Sequence, residues 1–317
     1  MKPSVVFLGS PEFALPSLRR LVDEGYPIRA VYTQPDRPVR RGRELITTPP
    51  PVKRLALELG LPVWQPERLR GPALDDLSAL APDLIVVAAY GLILPRRVLD
   101  LPPFGCLNVH ASLLPRHRGA APIPGAILAG DSVTGASIMV MEAGIDTGPV
   151  LARAEEPIRP TDTTGTLTPR LAELGAKILV ETLPKWLARQ IEPEPQDGAR
   201  ATYCPPIQRE DARLDWQQPA EALERAVRAY QPWPVAYTGW EGREVRILEA
   251  AVVPADWPAG EVHDSRELRQ PRVPRAPVVG TGSGGLVLLR LQLAGGKPID
   301  GASFLNGHPQ FVEARLA

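Results

Sequence analysis

Cysteine is almost missing from this chain. Two occur in 317 residues, Cys106 in the apolar run FGCL and Cys204 in a proline-rich stretch. That scarcity argues against a disulfide framework and against a cysteine-based metal centre, which takes several ligands at fixed spacing. Cys106 reads as a small core residue. Long apolar runs are missing too: no stretch of 18 or more could span a bilayer as a helix. The N-terminus, MKPSVVFLGSPEF, has one lysine and an apolar core too short for a signal peptide, and it reads as a first strand. The expectation is a cytoplasmic protein with no membrane partner. A charge excess is absent as well, with 36 basic against 36 acidic residues. Taken alone, zero net charge counts against a nucleic-acid partner, whose phosphates need Lys and Arg.

The average hides a patch. Between Asp36 and Arg54 stand Arg37, Arg40, Arg41, Arg43, Lys53 and Arg54, opposed only by Asp36 and Glu44. From Ile207 onward thirteen basic residues face fourteen acidic ones, so an anionic partner must be met mainly by the N-terminal half.

Periodicity gives two grammars. SVVFLG, IRAVYT, PVWQ, DLIVVAAY, CLNVH and ASIMVM are short apolar runs. Between them lie helical spacings over about 14–24, 51–59, 72–80 and 123–129, and a longer one from Thr163 to about Gln190. Strands apolar on both faces alternating with helices predict a doubly wound, mostly parallel, Rossmann-like α/β sheet. Residues 190–206, with little apolar periodicity, read as an extended linker. After a helix at Pro219–Ala229, the runs EVRILEAAVV, APVVGTG and GLVLLRLQL between Gly and Pro clusters suggest an OB-like β-barrel. The expected organisation is therefore 1–189, a linker 190–206, and a barrel 207–317.

In open parallel sheets ligands bind beyond the C-terminal strand ends. The first such end, GSPEFA, lacks the later glycines of a dinucleotide fingerprint. At another, NVHASLLP, Asn108 and His110 lie two apart and leave an extended strand on one face. The amide can donate to a developing oxyanion and the imidazole can move a proton near neutral pH. Both could equally cap the strand end by bonding nearby backbone, and spacing does not choose. Asp146, in the turn GIDTG, could orient the imidazole, or simply bond its own turn. The loop AYGLILP has a glycine that permits close approach of a ligand to backbone. The Pro- and Arg-rich insertion QPDRPVRRGRELITTPPPVK is longer than the usual connection of about 2–6 residues.

Taken together, TQPDRP, AYGLILP, NVHASLLPRHRGAAPI, GIDTG, TGTLTPRLAELGA, Asp215-Trp216 and QPWPVAY resemble the folate-dependent formyltransferases along essentially the whole chain. The basic loop and the second domain point to the branch that formylates initiator methionyl-tRNA. The resemblance implies a catalytic set of Asn108, His110 and Asp146. It implies 10-formyltetrahydrofolate as formyl donor, bound by Ser112, Leu113, Leu114 and Pro115 and by Tyr90, Gly91, Leu92 and Ile93, with no metal. For initiator methionyl-tRNA it implies contacts from Arg41, Gly42 and Arg43, with Arg41 the strongest, since a guanidinium bonds phosphate bidentately and stacks on bases. A monomer is expected. RHRG stands where the family commonly has RWRG, and Cys204-Pro205-Pro206 replaces a lysine-containing run. Rival readings keep the chemistry and change the amine, to glycinamide ribonucleotide or an amino sugar nucleotide. A hydrolase or dehydrogenase module acting on the same folate is a further rival, and a non-catalytic RNA-binding protein is the other class.

Overall fold

A computed structural model describes residues 2–41, 44–268, 270 and 272–316, without the side chains of 39–46. Two units emerge. Met1–Pro122, Val133–Pro157 and Thr168–Cys204 make the first, and Ile123–Ser132, Ile158–Leu167 and Pro205–Ala317 the second.

In chain order the first stretch runs β1 (Val5–Gly9), α1 (Leu15–Asp23), β2 (Ile28–Tyr32), β3 (Arg37–Arg41), β4 (Glu44–Thr48), α2 (Pro51–Glu58), β5 (Val63–Trp64) and α3 (Pro72–Ala79). It continues through β6 (Leu84–Ala88), α4 (Arg96–Leu99), β7 (Cys106–His110), β8 (Arg118–Gly119), α5 (Pro122–Ala129), β9 (Val133–Val140), β10 (Val150–Pro157), α6 (Thr164–Leu187) and β11 (Tyr203–Cys204). Seven strands form one sheet in the order β10-β9-β7-β6-β1-β2-β5. The five from β7 to β5 run parallel. β9 is antiparallel to both β7 and β10, so the sheet is parallel except at one edge.

The sequence dictates this directly. Every residue of VVFLG and LIVVA is buried, as expected of strands covered on both faces. Val6, Leu8, Tyr32, Leu77, Ile85, Val87 and Cys106 share one core cluster, each large aliphatic contributing about 1.5–3 kcal/mol by leaving water. Burial pushes the Cys106 thiol up to about 12, which makes it the inert core residue expected. Along α6 the stripe Leu167, Leu171, Ile178, Leu179 and Leu183 is buried. β10 escaped the sequence reading because VLARAEEP is only half covered and carries two glutamates.

Two stretches read as irregular are ordered. The basic insertion forms an antiparallel ribbon, β3 against β4, in register from Arg37↔Thr48 to Arg41↔Glu44. Its strands hold too few apolar residues to announce themselves. Within the segment 190–206, expected as a linker, Glu194 pairs with Val150 through two backbone bonds of 2.8 and 2.9 Å, and β11 lies parallel to β8.

The second unit contains α7 (Ala220–Ala229), β12 (Tyr237–Trp240), β13 (Arg243–Val253), β14 (Val262–Asp264), β15 (Pro277–Gly280), β16 (Gly285–Leu293), β17 (Ile299–Asp300) and α8 (Gly301–Gly307). The strands form a curled antiparallel sheet, a half-barrel in the order β12-β13-β16-β15-β14 with β17 on β16. Leu223, Trp240, Ile247, Leu288, Leu291, Phe304 and Phe311 fill its core. The short strands β12, β14 and β17 lay below what periodicity could resolve. α8 begins where the Asp300 side chain accepts from Ser303 N at 2.9 Å.

Candidate active site

After β1 the chain builds β2 and β5 to one side, then returns to place β6 and β7 on the other. The reversal opens a crevice at the C-terminal ends of β1 and β6, the place where such sheets take ligands. Ser10 Oγ and Gln34 Nε2 both donate there to the Tyr90 carbonyl, at 3.2 and 3.1 Å. Gly91, at φ +80°, lies where a Cβ would collide with Gln34 Nε2, so that loop needs its glycine. Ser10, Gln34, Pro50 and Ala89 help line a cavity of about 420 Å³. The TQPDRP turn is tied beside it. Gln65 Nε2 donates to the Gln34 carbonyl at 2.8 Å and to Asp36 at 2.7 Å, and Lys53 Nζ pairs with Asp36 at 2.7 Å. The hydrogen bonds from Lys53 and Gln65 hold the Asp36 carboxyl below its usual range. Lys53 is thereby engaged inside the protein.

At the next strand end, β7 behaves as its period of two requires. Val109 is buried toward Gly175 of α6, while Asn108 and His110 leave the opposite face. His110 is only 5% exposed. Its Nε2 lies 2.9 Å from the His117 carbonyl and its Nδ1 3.7 Å from Asp146 Oδ2. Two oxygen acceptors, one of them a carboxylate, thus face the two ring nitrogens. No hydrogen bond to the Asn108 side chain is recorded among the described residues, which leaves its amide ready for a ligand.

Among the described residues the Asp146 carboxylate bonds outside its own turn. Its Oδ2 accepts from the backbone N–H of Gly119 at 2.7 Å, 27 residues away, and this brings the carboxylate beside the imidazole. The residue sits at φ +50°, a left-handed conformation that Asp tolerates better than most side chains.

The backbone of SLLP is tied into the fold. Ser137 Oγ donates to the Ser112 carbonyl at 2.6 Å and accepts from Leu114 N at 3.1 Å, while Arg153 Nε donates to the Leu114 carbonyl at 2.8 Å. Ser112 itself is fully buried and donates to the Arg116 carbonyl, and the Leu114 side chain packs with Met139 and Val150. The segment is a stiff wall that ends in Pro115. On the neighbouring loop the Tyr90 ring is core, Leu92 packs partly against it, and Ile93 is 91% exposed. Only the main chain of Tyr90 and Gly91 faces the crevice network. Of the basic loop, Gly42, Arg43 and the Arg41 side chain lie outside the described residues; the Arg41 backbone ends β3.

Sequence reasoning missed Ser10, Gln34, Ser137 and Gln196. Gln34 stands at a strand end and could have been found by position. Gln196 sits in a stretch whose composition gave no signal.

A formyl transferase family profile matches residues 2–183, and one for the formyl transferase C-terminal domain matches residues 206–309. The chain belongs to the formyl transferase family. It is 50% identical over 306 residues to a methionyl-tRNA formyltransferase of Chloroflexus aggregans, covering 96% of both chains. It is likewise 50% identical over 309 residues to one of Nitrosococcus oceani, covering 96% of this chain and 93% of that one. Among solved structures, a Helicobacter canadensis N-formyltransferase in complex with folinic acid and dTDP-3-aminofucose superposes with a TM-score of 0.67. It shares 14% identity and covers 91% of this chain and 99% of its own. Aquifex aeolicus HypX with tetrahydrofolic acid gives a TM-score of 0.62 at 18% identity; 98% of this chain is covered and it spans 48% of that one. These distant likenesses concern the formyl transferase fold. Among the described residues no helix is long and apolar enough to cross a membrane, and no group of three or more His, Cys, Asp or Glu is placed to hold a metal.

Proposed function

We propose that this formyl transferase moves the formyl group of 10-formyltetrahydrofolate to the α-amine of initiator methionyl-tRNA, acting as a cytoplasmic monomer. The observation that carries the reading is the His110–Asp146 pair beside an unengaged Asn108 amide, in a chain half identical to methionyl-tRNA formyltransferases over nearly its whole length. The folate supplies an activated formyl carbon and a nitrogen leaving group. The chain's residues divide the remaining work. The Asn108 amide donates to the formyl oxygen as negative charge gathers on it, an interaction strongest in the transition state. His110 in its doubly protonated form assists there and can give a proton to the departing nitrogen. Asp146 holds the imidazolium and, relayed by water, receives the proton that the attacking amine loses.

Ser112, Leu113, Leu114 and Pro115 form the wall against which the pterin lies. Main-chain groups of Tyr90 and Gly91, with Leu92 and Ile93 at the rim, meet its edge, Tyr90 and Gly91 sitting where the sheet's strand order reverses. Arg41, Gly42 and Arg43 contact the acceptor end of the tRNA, and the half-barrel adds salt-sensitive backbone contacts.

The test supplies purified protein with 10-formyltetrahydrofolate and, separately, charged initiator methionyl-tRNA, uncharged tRNA, glycinamide ribonucleotide and a dTDP-amino sugar. Formylation of the charged tRNA alone is expected. Transfer to a small-molecule amine alone would overturn the acceptor, and tRNA binding without turnover would leave an RNA-binding protein.

A further inference from the structure

The residues around Asp146 are held from an unexpected quarter. Gln196, in the segment between the two family-matched regions, spends its whole side-chain amide on them. Its Nε2 donates to the Asp146 carbonyl at 2.9 Å and to the Gly148 carbonyl at 2.6 Å. Its Oε1 accepts from Arg118 Nε at 3.1 Å and Nη2 at 2.8 Å. Carbonyls only accept and a guanidinium only donates, so the amide cannot be turned around without losing all four bonds. Arg118 is 5% exposed, and its Nη1 reaches Tyr203 Oη at 3.2 Å.

The same segment grips the backbone on the other side of the imidazole. His117 N donates to Thr202 Oγ1 at 2.8 Å, Arg118 N to the Thr202 carbonyl at 2.8 Å, and Ala120 N to the Cys204 carbonyl at 3.0 Å. Gly119 permits this closeness, since a Cβ there would collide with the Cys204 carbonyl. The gripped residues are the ones that touch the acid–base pair: the His117 carbonyl meets His110 Nε2, and Gly119 N meets Asp146 Oδ2. Asp146 is therefore fixed at its main chain by Gln196 and at its carboxylate by Gly119.

We propose that residues 196–204 are a strap that sets the His110–Asp146 distance, with Gln196 its principal positioning residue for formyl transfer. Gln196 touches neither substrate; it acts through Asp146. The inference rests on the catalytic reading of Asp146 given above.

Two substitutions test it in the full chain. Gln196→Leu removes all four bonds at similar volume, and Gln196→Glu keeps the Arg118 partner while turning an oxygen toward the two carbonyls. Each should lower kcat about 10- to 100-fold, the scale of a misplacement near 1 Å, with KM for 10-formyltetrahydrofolate and for methionyl-tRNA held within about twofold. The kcat pH profile should move, because the charge facing His110 is no longer fixed; a purely structural defect would scale the profile without moving it. In an Asp146→Asn background either substitution should cost less than about twofold more. Multiplying losses in the double variants, an unmoved profile, or a defect confined to KM would overturn the strap. Near-normal turnover of Asp146→Asn alone would instead overturn the role of Asp146. Should Gln196→Leu fail to fold, Gln196→Glu and Thr202→Val, which deletes only the acceptor for His117 N, carry the same comparison.

Discussion

The end of β7 and the β3–β4 ribbon are the two regions where the sequence concentrates its chemistry, and they are built in opposite ways. At β7 the His110 side chain is buried and Asp146 partly so, and the bonds around them span as many as 85 residues. The ribbon is held by its own local register, Arg37 against Thr48 through Arg41 against Glu44. Proton transfer gains from groups fixed before the substrate arrives, whereas attraction of a phosphate tolerates looser placement of charge because Coulomb attraction falls off slowly with distance. The first region rests on long-range order and the second on local pairing and composition.

The sharpest way to break that contrast is His110→Ala. Turnover should fall by about 10³-fold or more, within the range of lost acid–base catalysis, while tRNA affinity measured by filter binding stays within about twofold. A large loss of affinity would mean that the two regions are not separate. Asn108→Ala comes next, with kcat down about 10²–10³-fold and both KM values nearly unchanged, as for loss of an oxyanion donor. Arg41→Ala should act the other way round. The efficiency of tRNA use drops about tenfold, the salt dependence of tRNA binding loses about one unit of slope, and the KM for the folate holds. Equal formylation by variant and wild type would take the ribbon out of the reaction.

The smallest effect concerns the core at the start of β7. Cys106, raised to about 12 by burial, keeps in the fold a proton that the unfolded chain loses near its ordinary value of about 8.5. Its contribution is therefore complete below about pH 8 and is lost as pH rises, by up to about 1.4 kcal/mol per pH unit above about 9. Urea titrations from pH 7 to 10 should show that slope in wild type and a shallower one in Cys106→Ala. Native Cys106 should also resist alkylation at pH 8.

Legibility followed the same division. The parallel strands were readable because each is a continuous apolar run, and Asn108 and His110 because a period of two placed them on one face at a strand end. The partner of Asp146 was not readable. Nothing local links Asp146 to Gly119, and GIDTG taken alone favours a self-bonded turn. Gln196 was invisible for a stronger reason: polar residues in a proline-rich stretch look like solvated chain, and only tertiary pairing makes this one structural. The ribbon fell between the two cases. Its charge was plain, but its strands were too short and too polar to show as strands.

The pairing of His117 with Thr202 also says something about when this protein becomes competent. Closing a loop of about 85 residues costs conformational entropy that grows with the logarithm of its length, and local contacts form first. As the chain leaves the ribosome, β1 through β7 can assemble while the groups around His110 are still ungripped. On the proposed strap, the groups around His110 are gripped only after residue 204 has emerged, so a chain released early would hold every residue of NVHASLLP and GIDTG without those bonds.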